Sequence, residues 1–201
     1  DRSPSRGLGD VYKRQVWKVT LSNSEATNSK DMINYTLSDV LPTGYEYDDF
    51  YKNAEDTSAK YYPTIVIYDA SGTEIKRFDA YENTFIEPTV STITESDAEK
   101  TLLEWNFNGE EYTLKPGYKI EILFSSKIEV ATSGKFINNA YLTIEDGFEV
   151  ANVCYGDVTT FNNKQAIHDA DSVTTYAAIV TTSYKDCLLY TSDAADELDG
   201  V

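Results

Sequence analysis

The chain alternates apolar and polar residues with a period of two along most of its length, and shows no sustained 3.6-residue apolar repeat. In VWKVTLSN, residues 16–23, Trp17, Val19 and Leu21 share one face, and Lys18, Thr20 and Ser22 share the other. Residues 32–41 alternate in the same way. Ile33, Tyr35, Leu37 and Asp39 fall together, opposite Met32, Asn34, Thr36 and Val40. Pro42-Thr43-Gly44 ends that strand, since proline fixes φ and glycine admits positive φ. Further strands are predicted over 62–69 and 73–78, joined by the hairpin turn Asp69-Ala70-Ser71-Gly72, and over 102–107, 118–130, 135–144 and 148–155. Asn108-Gly109, Lys115-Pro116-Gly117 and Glu145-Asp146-Gly147 mark turns between them. Residues 45–60 and 79–100 read as acidic loops, the second with one short strand near 90–94. Many short strands between spaced turn signals predict an all-β sandwich.

The stretch GKFINNAYLTI, residues 134–144, sits at the centre of this pattern. Phe136, Asn138, Ala140 and Leu142 lie on one side; Ile137, Asn139, Tyr141 and Thr143 lie on the other. Whichever side is buried, one member of the Asn138–Asn139 pair points with apolar residues. A buried carboxamide left without partners costs roughly 1–3 kcal/mol. Three readings are open for it: a hydrogen-bonded core amide, a bulge or turn residue, and a reactant.

Composition narrows the function classes. The chain has 17 Lys and Arg against 34 Asp and Glu, a net charge of −17. That argues against nucleic-acid and anionic-membrane partners, both of which need basic patches. No run approaches the ~20 apolar residues of a membrane span. The two ends break the composition. Residues 1–15, DRSPSRGLGDVYKRQ, and 187–201, CLLYTSDAADELDGV, resemble translated sequencing-adaptor read-through and are set aside as non-native. What remains, 16–186, reads as a fragment of a longer protein. It holds a single cysteine, Cys154, which cannot form an internal disulfide. Residues 16–155 make one domain, 156–171 a polar linker, and 172–186 the first strand of a following repeat. The single His168 has no Cys or His at ligand spacing, and Asp169 and Asp171 lack the glycine and distal Glu of a calcium loop. No phosphate-binding loop or nucleophile elbow is present. The expectation is no metal, no cofactor and no enzymatic activity on an external substrate.

Four pieces in order, VWKVTLSN, YTLSDVLPTGYEY, KPGYKIEILFSSKI and SGKFINNAYLTI, resemble the immunoglobulin-like repeat domains of Gram-positive surface proteins, of the collagen-binding adhesin and pilin stalk type. The resemblance covers residues 16–155. It implies an immunoglobulin-like β-sandwich in a secreted, wall-attached protein, with neighbouring repeats of the same chain as partners. A second reading is a binding module that presents the 45–60 and 79–100 loops to a host protein or polysaccharide. Many members of the family carry a self-formed isopeptide bond between a first-strand Lys and a last-strand Asn, assisted by an acidic residue. By position, the resemblance implies Asp39 as the acid and Asn138 as the amide. The lysine's place falls in the 1–15 segment, so the partner is expected to be missing. Lys18 is a weak candidate because it lies opposite the Trp17 face, and Lys185 is a candidate for the next repeat.

Overall fold

The period-two segments form strands in a computed structural model that describes residues 14–23, 25, 30–48, 63–80, 82–128, 134–144, 157–176, 179–181 and 187–188. In chain order the strands are β1 (Arg14–Ser22), β2 (Tyr35–Val40), β3 (Tyr45–Asp48), β4 (Thr64–Tyr68), β5 (Glu74–Asp79), β6 (Thr89–Glu95), β7 (Ala98–Phe107), β8 (Lys119–Ile128), β9 (Gly134–Ile144), β10 (Asp157–Phe161), β11 (Lys164–Tyr176), β12 (Ile179–Thr181) and β13 (Cys187–Leu188). One antiparallel sheet runs β13-β1-β8-β4-β5, with β3 also on β8. The other runs β10-β11-β9-β2-β7-β6, with β12 also on β11. The two pack face to face as an immunoglobulin-like β-sandwich.

Alternation explains the core. The first sheet contributes Trp17, Leu21, Ile65, Ile67, Ile120, Ile122 and Phe124; the second contributes Tyr35, Leu37, Leu103, Trp105, Phe107 and Leu142. Trp105 and Phe124 meet across the layers with ring centroids 5.1 Å apart. Each of these side chains contributes roughly 1.5–3 kcal/mol by leaving water. The indoles keep their polar handles satisfied. Trp17 Nε1 donates to Ser126 Oγ at 2.7 Å, and Trp105 Nε1 donates to the Ile86 carbonyl at 3.1 Å. A second apolar cluster lies on the other face of the second sheet: Val40, Leu102, Tyr141, Phe161 and Ala166, with Ile93 against it.

Several elements differ from the sequence-based expectation. Met32 is fully buried and Ile33 is 44% exposed, the reverse of the predicted grouping. Asn34 adopts φ +50°, and this left-handed residue resets the alternation just before β2. Tyr45–Asp48, expected in a loop, is a short strand against β8; residues 49–60 lie outside the described residues. In 79–100, expected as a loop with one short strand near 90–94, β6 runs over Thr89–Glu95 and β7 begins at Ala98. β10 and the first part of β11 fall in the 156–171 stretch expected to be a linker, and β11 continues through 172–176, expected to open a following repeat. β11 pairs along β9 from Ala166↔Thr143 to Thr175↔Gly134. Its polarity hid it because backbone ladders need no apolar side chains, and of residues 164–169 Ala166 and Ile167 are the buried ones. β1 begins at Arg14, two residues inside the 1–15 segment, and Gln15 is buried. Cys187–Leu188 pairs with Val16–Trp17. The 148–155 strand, Cys154 and Lys185 lie outside the described residues.

Candidate functional site

β2 and β9 are hydrogen-bonded neighbours in the second sheet, with Asp39 directly opposite Ala140. Asn138 lies two residues along β9 on the same face, so Asp39 and Asn138 form a diagonal cross-strand pair. Both side chains point into the sandwich. Tyr35 and Leu37 precede Asp39 on its face, and Leu142 continues the Asn138 face. The opposing alanine is small and leaves room for the two polar groups.

The pair is bonded and out of water. Asn138 Nδ2 donates to Asp39 Oδ2 at 2.8 Å. Asp39 is 0% exposed and Asn138 5%. Asp39 Oδ1 and Asn138 Oδ1 are buried with no hydrogen-bond partner among the described residues. Two neighbouring acceptors without donors are an expensive arrangement in a low-dielectric interior, and each marks where a donor is wanted. Burial pushes the Asp39 carboxyl up to about 7, and the hydrogen bond from Asn138 pulls weakly the other way. At neutral pH this carboxyl is poised between its acid and carboxylate forms. It can therefore give or take a proton at a carboxamide it already touches.

The remaining candidates fall elsewhere. Lys18 is half-buried on β1, in the opposite sheet, and alternation directs it away from the face that carries Trp17. Among the described residues no lysine is bonded to Asp39 or Asn138. Asn139 points to the other face of β9, where its Oδ1 lies 3.0 Å from His168 Nε2. His168 stacks on Tyr141, with centroids 4.9 Å apart, and Tyr141 stacks on Phe161 at 4.2 Å. The Tyr141 hydroxyl donates to Glu95 at 3.2 Å. This outer aromatic cluster was not foreseen. Its one sequence signal was that β9 is apolar on both faces, with Ile137 and Tyr141 opposite Phe136 and Leu142. Among the described residues no group of three or more His, Cys, Asp or Glu side chains could hold a metal ion.

No family model and no curated protein sequence matches the chain. Among solved structures, the chain is similar to the major pilin SpaA of Corynebacterium diphtheriae, whose structure is described as pointing to a modular pilus assembly stabilizing isopeptide bonds. The TM-score is 0.45 at 16% identity, over 87% of this chain and 36% of the pilin. It is also similar to the collagen-binding domain from a Staphylococcus aureus adhesin, with a TM-score of 0.37 at 15% identity, over 79% of this chain and 87% of that domain. The chain therefore spans about a third of the pilin's length.

Proposed function

We propose that this chain is a structural repeat of a bacterial cell-surface stalk, built to take an isopeptide bond at Asn138. The observation that carries the reading is the buried Asp39–Asn138 pair with its two orphaned oxygens. A lysine ε-amine placed there would donate to those oxygens. Surrounded by apolar side chains, it would favour its neutral, nucleophilic form. The neutral amine attacks Asn138 Cγ, a new C–N bond forms, the Cγ–Nδ2 bond breaks, and Nδ2 leaves as ammonia. Asp39 in its acid form donates its proton to the carboxamide oxygen as the tetrahedral centre develops; the resulting carboxylate takes the amine's proton and passes it to the departing nitrogen, and regains its own proton as the carbonyl re-forms. Close, dry and fixed geometry supplies much of the acceleration. The bond would tie β9 to an early strand of the other sheet, so that force on the termini meets a covalent link rather than a ladder of hydrogen bonds.

The test is the intact mass, under denaturing conditions, of this chain with a lysine-bearing strand supplied ahead of β1. The expected result is a deficit of one ammonia that disappears in Asn138→Ala and in Asp39→Ala. A folded protein at full mass overturns the bond and leaves the pair as a structural hydrogen bond.

A further inference from the structure

The free edge of a β-sheet carries backbone N–H and C=O groups without ladder partners, and natural sheets guard such edges with charge, bulges or cover. Two edges of this sandwich are treated differently. β5 carries Glu74, Lys76, Arg77 and Asp79, with Arg77 and Glu74 ion-paired, and a bulge interrupts the β4–β5 ladder at Ile67/Tyr68. β6 reads TVSTITE, and its first six residues, Thr89 to Thr94, carry no charge and are almost all β-branched. Among the described residues it pairs with β7 and with nothing on its other side. Val90 is 52% exposed although Leu103, directly opposite it in the ladder, is fully buried. Among the described residues β6 therefore overhangs the sandwich, open along its edge and over much of its surface.

We propose that β6 is a self-association edge, where two copies of this chain pair β6 to β6 in antiparallel fashion and join their sheets. The occupant is a second copy because the strand is compatible with itself. A two-fold axis through Thr92 sets Thr92 against its own copy, Ser91 against Ile93, Val90 against Thr94 and Thr89 against Glu95. No like charges stand opposite each other. The single carboxylate, Glu95, is already held by Lys100 of its own chain at 2.5 Å. With a net charge of −17, two copies repel over most of their surfaces, whereas this uncharged stretch lets them approach. One strand pair buries less than the roughly 1,200–2,000 Å² of a stable interface, so the dimer is weak and favoured by salt.

Sedimentation of the full chain from about 10 μM to about 1 mM in moderate salt tests this, with amide exchange followed at the same concentrations. The expected result is a rise in average mass towards the dimer, with exchange slowing over residues 89–95 in step. Thr92→Lys, which sets two ammonium groups against each other at the axis, is expected to weaken association at least tenfold. Lys76→Thr on the guarded edge is expected to change nothing. A chain that stays monomeric throughout overturns the proposal, as does a dimer indifferent to Thr92→Lys or one whose slowed amides lie elsewhere. The exchange readout on the unsubstituted chain decides the matter even if Thr92→Lys folds poorly.

Discussion

At the residue scale, Asp39 makes stability depend on pH. Its carboxyl titrates near 7 in the fold and near 3.9 in an unfolded chain. The native state therefore holds a proton that the unfolded chain has lost between those values. The stability this contributes is fully present below the unfolded value and is lost as pH rises through 7. We expect the chain to lose roughly 2–3 kcal/mol, relative to Asp39→Asn, between about pH 5 and about pH 8. Urea unfolding of both proteins at the two pH values measures it, and parallel pH profiles would rule it out. The inward direction of Asp39 was legible because Tyr35, Leu37 and Asp39 share a parity. Which of Asn138 and Asn139 faces inward was not, since β9 is apolar on both sides.

At the element scale, the β10–β11 hairpin joins the outer cluster through Phe161 and Ala166, while Ile167 of β11 reaches the main core from the other face. Phe161 is 7% exposed and stacks on Tyr141, and the turn beyond it uses Asn162 and Asn163 at positive φ. Removing a buried phenylalanine costs about 3–5 kcal/mol where the site cannot collapse. Phe161→Ala should therefore open this hairpin locally before the domain unfolds. Amide exchange should quicken over 157–168 while β4 and β8 keep their protection; unchanged exchange over the hairpin would contradict it. β10 and most of β11 were unreadable in sequence for a physical reason. A strand at the end of a sheet, like β10, or next to it, like β11, can be polar and still complete a ladder, because the ladder is made by backbone groups.

At the scale of the whole molecule, charge opposes the fold. A net charge of −17 on 201 residues stores self-repulsion in the compact state. Screening relieves it, since the Debye length shrinks from about 30 Å at 0.01 M salt to about 10 Å at 0.1 M. The melting temperature should rise by several degrees between about 0.01 M and about 0.5 M sodium chloride. A flat or falling salt dependence would show that the exposed carboxylates are locally compensated. The same screening favours the β6–β6 dimer, so melts run at low protein concentration keep the two effects apart.

The sequence by itself determined the all-β class, most strand positions and the inward parity of Trp17, Leu37 and Asp39, because period-two patterning is local and each strand carries its own copy of it. The family pattern also marked Asp39 and Asn138 as a possible pair. Only the tertiary structure decided that they touch, across 99 residues of chain, with two oxygens left bare. It also decided that β11 completes the second sheet and that β6 overhangs it. Strand order and register are set by which surfaces bury one another, and no single segment encodes that choice.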